Sequence, residues 1–492
     1  MGIKILFGMF FDGTGNNGND NKSQYSVQTS NIHDIESVGQ PVERYFEVSN
    51  ERIYTDSHNE TSSYTNIFWL YKMYKVNLTS QSIYQQPIYI EGVGTETNQK
   101  NNIVGQALGI LSTGVVAKTD RAVEYLSSSI HNIIDEIVSE HNNCKIKIDS
   151  IQFDIFGFSR GAASARILAN RIQSRDDSIL KVINGGVSKF LFSGELKIST
   201  RFIGLFDTVS SVGTPGNWFN PHCPDFGEIN TILRPGVAEK VFHIIADNEY
   251  RYNFPLNSVA PAWPELALPG SHSDIGGGYM PVFTENLFLT RPTVETIPLN
   301  TPSEKSRQYK KLVEELKNLK SESNIAPILN VHAAQIETWY DSRMPLDRFG
   351  QMQKRNFAAI TIRNRSIKND WSKVVLQVMI FAAKKAGVIL QDYKSLTIPE
   401  DLSFFREKAI AMCEAVMSGR QPMVFSQREL EILAVNYIHL SASWGQIPFG
   451  PDGIIQGGSR PFKIFSFINR PDKEWKRTIY NMDNKKILIL KH

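Results

Sequence analysis

The pentapeptide Gly157-Phe158-Ser159-Arg160-Gly161 has the form G-x-S-x-G, which sets a serine on a sharp strand-to-helix turn with its oxygen at the carboxyl end of a sheet. The chemistry this suits is acyl transfer with Ser159 as nucleophile. Its backbone is strained in such a turn, and flanking side chains would strike the incoming strand and the outgoing helix, hence the two glycines. A bland reading remains, a structural glycine turn. A serine hydroxyl is a poor nucleophile near neutral pH, so it needs a general base within hydrogen-bond reach and a carboxylate to orient that base. In α/β-hydrolases these follow in the order Ser, then Asp or Glu, then His.

Asp207 fits the acid. It closes the apolar run Arg201-Phe202-Ile203-Gly204-Leu205-Phe206 and precedes the turn residues Ser210, Ser211 and Gly213; its alternative role is a helix cap. Of ten histidines, six follow Asp207. His222 is close behind in a Pro/Cys-containing loop, His243 lies inside a strand where a core role is expected, His332 sits in a helical pattern, and His492 is the last residue. His272 leads, because Pro269-Gly270-Ser271-His272-Ser273-Asp274-Ile275-Gly276-Gly277-Gly278-Tyr279 reads as an exposed, mobile loop just before a glycine run. Asp274 is a candidate supporting residue, and His439 is the runner-up base. The oxyanion hole is expected to use the backbone N–H of Arg160 and one from the turn Asp12-Gly13-Thr14-Gly15, with Gly13 and Thr14 the candidates. Asp12 orients this turn, bonds near the nucleophile, or is an Asx-turn residue. The turn lacks the Lys-Ser/Thr ending of a phosphate-binding loop, which argues against nucleotide.

These residues need a scaffold. Strand-like residues 3–11, 87–91, 150–156, 201–206 and 240–245 are separated by helical stretches at 67–74, 119–141 and 160–171. That alternation predicts βαβ units: an α/β fold, α/β-hydrolase-like, with a mostly parallel sheet flanked by helices. From about residue 291 the character changes. Residues 306–320, 371–390 and 403–418 read as helices, the last ending at Gly419 in a C-cap position. Two regions follow: 1–290, an α/β-hydrolase domain with insertions, and 291–492, mainly helical.

The chain has 492 residues, 41% hydrophobic and 21% charged, which excludes a disordered or fibrous protein. A net charge of +3 gives no argument for a nucleic-acid partner. The three cysteines form neither a metal-ligand spacing nor a disulfide framework. The apolar N-terminus has no basic region ahead of it and no cleavage site after it, so it reads as a buried first strand and not a signal peptide. No stretch approaches a transmembrane span. Residues 103–117 and 374–383 come nearest and read as buried helices or cleft linings, with surface contact with lipid the alternative.

Four motifs in order carry a family resemblance: Phe10-Phe11-Asp12-Gly13-Thr14-Gly15-Asn16, Gly157-Phe158-Ser159-Arg160-Gly161-Ala162, Leu205-Phe206-Asp207-Thr208-Val209, and Gly270-Ser271-His272-Ser273-Asp274-Ile275-Gly276-Gly277-Gly278-Tyr279. Over roughly residues 1–285 the chain resembles the catalytic domain of the type VI secretion phospholipase effectors of the first lipase class. The resemblance puts Ser159, Asp207 and His272 at the triad positions. It implies phospholipase A1 or A2 activity on membrane glycerophospholipids, without metal or other cofactor. It also implies synthesis in a bacterial cytoplasm, export on a spike protein, and action at the membrane in a target cell's periplasm. A cognate periplasmic immunity protein is the implied inhibitor. Residues 291–492 would be a membrane-facing or lid module. The alternatives are a serine esterase for small soluble esters and a non-enzymatic interaction module.

Overall fold

The computed structural model describes residues 2–13, 64–74, 82–92, 114–141, 146–187, 196–210, 230–392, 396–450, 453–455, 469–483 and 485–487. Strand β1 (Gly2–Phe11) leads to helix α1 (Asn66–Met73), strand β2 (Ile83–Ile90) and helix α2 (Val115–Glu140). Next come β3 (Lys147–Phe158), α3 (Arg160–Gln173), α4 (Asp177–Val187), β4 (Lys197–Phe206) and β5 (Lys240–Ala246). The short strands β6 (Leu256–Asn257) and β7 (Glu265–Leu268) precede a one-turn helix, α5 (His272–Gly276).

Six of these strands form one sheet in the order β2-β1-β3-β4-β5-β7, and every adjacent pair is parallel. A parallel sheet is covered on both faces, and its strands show it. Side chains alternate along a strand, so Ile151, Phe153 and Ile155 of β3 pack with the α2, α3 and α4 side, while Phe156 and Phe158 enter the other core. Chain order reverses between β1 and β3, and a ligand site is expected in the crevice at the carboxyl ends of strands flanking such a switch point. Gly13 and Ser159 lie just beyond those two strand ends.

The second half continues with β8 (Val282–Phe288), β9 (Thr293–Pro298), α6 (Arg307–Ser321), α7 (Ala326–Val331), β10 (Gln335–Asp341) and β11 (Gln353–Lys368). Helices α8 (Asp370–Lys385), α9 (Ser403–Met417) and α10 (Gln427–Asn436), then β12 (Ile479–Tyr480) and β13 (Lys486–Ile487), complete it. The expected helices are present, and Gly419 follows α9 at φ +68°. Helix α8 turns Trp371, Val374, Val375, Val378, Met379 and Ala382 inward, a helical repeat that packs against the core shared with Phe10, Phe156 and Phe202. Residues 374–383 therefore lie in a buried helix. Among the described residues no helix is long and apolar enough to cross a membrane.

The sequence reading omits an antiparallel sheet. β11 pairs with β8, β9 and β10, so strands from both sides of residue 290 share it. The buried run Phe357–Ile362 at its centre has no period that separates strand from helix.

Candidate active site

β3 enters the turn at Phe158, and Ser159 takes φ +58°, ψ −127° before α3 begins at Arg160. A non-glycine residue in that region is strained and needs surrounding contacts to hold it. Its N–H donates to the Phe206 carbonyl at 3.0 Å, and its own carbonyl accepts from Ala162 at 3.0 Å and Val209 at 3.3 Å. The flanking glycines are sterically required. A Cβ on Gly157 would meet Ala162 Cα at 2.6 Å, and one on Gly161 would meet the Asp12 and Phe11 carbonyl oxygens at 2.3 and 2.4 Å.

β4 runs beside β3 with Phe206 opposite Phe158, which sets Asp207 next to the serine turn. Asp207 is fully buried and also has positive φ, +40°. Its Oδ2 is hydrogen-bonded to His272 Nδ1, and its Oδ1 accepts from the Ala246 N–H at 3.0 Å. The histidine ring lies against Phe158 at 4.6 Å between centroids and against Phe254 at 4.9 Å. His272 is not on an exposed loop as expected. It is buried, 4% exposed, at the start of α5, because Ser271 and Asp274 form a capping box there.

Electrostatics favour a neutral imidazole beside an ionised acid. Burial lowers the His272 pKa from its ordinary value, more than the Asp207 bond and charge raise it. Burial pushes Asp207 the other way, but the Arg477 guanidinium and the His272 hydrogen bond hold its carboxyl well below the usual carboxylate range.

Asp12, just past β1, lies against the serine turn at Gly161. Asp12 is buried and accepts from Gly13 N–H at 2.6 Å, Thr65 Oγ1 at 2.8 Å and Tyr89 Oη at 2.6 Å. Burial pushes its carboxyl up to about 6 against those bonds. Asp12 thus holds the Gly13 amide itself. Arg160 opens α3 at the positive end of the helix dipole. Thr14, His222 and His492 lie outside the described residues. Asn66 at the head of α1 donates to the Ile275 carbonyl at 2.8 Å and the Ser372 carbonyl at 3.1 Å, tying α5 to α8.

The remaining candidates separate clearly. His243 has the core role expected, with Nδ1 2.9 Å from Glu265 and Nε2 accepting from Thr208 N–H. His332 follows α7 as its C-cap. His439 pairs with Asp274 at 2.6 Å, so both residues lie near the site, joined to each other. Three residues at the site escaped the sequence reading: Arg477, Glu249 and Arg251. Glu249 accepts from His272 N–H at 3.2 Å, from Ser441 Oγ at 2.9 Å and from Arg251 at 2.8 Å. No local motif marks them.

Comparison with known proteins places the whole chain. A family model described as "T6SS, Phospholipase effector Tle1-like, catalytic domain" matches residues 53–175 and 187–299. A solved structure of the Tle1 effector bound to the VgrG spike from the type 6 secretion system is similar at 34% identity and TM-score 0.75, covering 98% of this chain and 94% of that one. An uncharacterized protein from Pseudomonas aeruginosa is far more distant, at 17% identity and TM-score 0.38 over 88% of this chain and 52% of that one. No curated protein matches.

Proposed function

This chain belongs to the Tle1-like phospholipase effectors of the type VI secretion system, and from that premise we propose a serine-dependent phospholipase A in which Ser159, His272 and Asp207 cleave an acyl ester of glycerophospholipids. His272 Nε2, the nitrogen not engaged by Asp207, takes the Ser159 proton as the serine oxygen attacks the ester carbonyl. Asp207 holds the imidazole and offsets the charge it gains. The amide of Arg160, at the head of α3, stabilises the oxyanion. Gly13 joins it only by sharing or leaving the Asp12 carboxylate, and Thr14 is the other candidate donor. Protonated His272 then releases the lysophospholipid, and water activated by the same ring frees the fatty acid. The reaction uses no metal or organic cofactor.

One observation carries the reading: a buried carboxylate–imidazole pair whose ring packs on Phe158, the residue before a serine held at positive φ. Ser159→Ala is expected to lower fatty-acid release from phospholipid vesicles by about 10⁴–10⁶-fold, with the fold unchanged by circular dichroism. Retained release would overturn the assignment. Lysophospholipid analysis of the wild-type products distinguishes A1 from A2 cleavage.

The VgrG-bound state of the similar effector supports a spike protein as carrier here. The same reading has the enzyme acting on membrane phospholipid in the target cell's periplasm, restrained in the producing lineage by a cognate immunity protein.

A further inference from the structure

We infer that Arg477, from the C-terminal end of the chain, is a positioning residue for the acyl-transfer reaction, clamping Asp207 and tempering the charge that Asp207 presents to His272. The inference rests on the triad reading above. Residue 477 lies far outside the stretch that matches the family's catalytic-domain model, which ends at 299.

The contact is complete and buried. Arg477 donates from its two terminal nitrogens to the two oxygens of Asp207, at 2.6 and 2.9 Å, and from Nε to the Phe254 carbonyl at 2.8 Å. Its side chain is 5% exposed and that of Asp207 0%. A bidentate guanidinium fixes the plane of a carboxylate as well as its position. Asp207 then has its Oδ1 filled by Arg477 and Ala246, and its Oδ2 shared between Arg477 and His272. The acid cannot turn without breaking the clamp, so the imidazole it holds is oriented too.

The clamp is itself anchored. Residues 469–480 are stitched to the segment between β5 and β7: Asp472 N–H donates to Tyr250, Tyr252 N–H to Arg470, Leu256 N–H to Thr478, and Ser258 N–H to Tyr480, all at 2.7–3.0 Å. β12 adds a parallel pairing with β6, and Trp475 packs edge-on against Tyr250 at 6.0 Å.

The charged groups that influence His272 are Asp207 from just past β4, Glu249 and Arg251 from the segment after β5, and Arg477 acting through Asp207. On its own helix Asp274 is paired to His439, and Ser271 bonds to Tyr279. The two acids and two guanidinium groups balance. An unclamped Asp207 would stabilise the imidazolium more strongly, leaving less of the base in its neutral, proton-accepting form at a given pH.

The test uses the full-length protein and a soluble short-chain ester, so that membrane binding does not enter. Arg477→Met removes charge and clamp; Arg477→Lys keeps the charge but cannot span both oxygens. For Arg477→Met, kcat is expected to fall about 10²-fold with KM within about twofold, and the acid limb of the kcat/KM profile to move to higher pH. For Arg477→Lys, kcat is expected to fall about tenfold with the limb unmoved. A folded Arg477→Met enzyme with wild-type kcat, or with an unmoved limb, overturns the inference. Should that variant not fold, Arg477→Lys decides, since wild-type kcat there also overturns it. Ser159→Ala in the same assay separates the two claims. If it stays active, the triad reading is at fault; if it is dead while the Arg477 variants are normal, only the clamp is.

Discussion

His272 and Asp274 stand on the same one-turn helix, and each completes a buried carboxylate–imidazole pair, the first with Asp207 and the second with His439. In the first pair the acid stands at the end of a sheet strand and the helix supplies the base; in the second the helix supplies the acid and the segment after α10 supplies the base. The surroundings differ more. His272 lies over the residue that precedes Ser159. His439 is stacked on Tyr279 at 3.7 Å, and its Nε2 is buried with no hydrogen-bond partner among the described residues. Asp274 accepts from Ser271 N–H and Oγ at 2.8 and 2.9 Å, and from His439 N–H and Nδ1 at 2.9 and 2.6 Å. An Asp–His pair is therefore not in itself a base. It becomes one when the second ring nitrogen faces a reactant, and otherwise it is a fastener, here between the His272 helix and residues 437–443.

The widest separation between the pairs is expected in rate. Asp207→Asn should lower kcat by about 10⁴-fold through the wrong imidazole tautomer, whereas Asp274→Asn should stay within about tenfold of wild type. Ester hydrolysis by the two variants side by side checks this, and equal losses would break the contrast.

For Asp274 the expected loss is in stability. Losing a charged acceptor of four hydrogen bonds should cost roughly 2–4 kcal/mol in urea unfolding, with little change in the activity of the molecules that remain folded. A larger loss of kcat than of stability would make the second pair catalytic.

The finest test trims the fastener alone. Tyr279→Phe keeps the stack on His439 and removes only the hydroxyl contact with Ser271 at 3.1 Å. About 1 kcal/mol of stability should be lost, at unchanged kcat.

Much of the first half was legible because its signals are local. The expected strand 150–156 lies within β3 and the helix 160–171 within α3; 201–206 and 240–245 fall within β4 and β5. At 87–91 the reading caught only the end of β2. The strand begins earlier, at Ile83, and includes Gln85, a polar residue that is buried because its amide reaches the Tyr74 carbonyl at 2.8 Å and the Ile389 carbonyl at 3.2 Å. Those partners have no signature near it. Arg365 shows the same difficulty in β11, where a fully buried charge is matched by Glu285 at 2.5 Å from β8.

The sequence by itself determined the serine turn, the apolar strands that feed and flank it, and the order of serine, acid and histidine, since steric fit and backbone propensity act over a few residues. Only the tertiary structure decided which histidine meets which aspartate, that His272 is buried at a helix start, and that an arginine 270 positions from Asp207 clamps it. A charge removed from water must find its counterpart inside the fold, and folding can bring that counterpart from any distance along the chain.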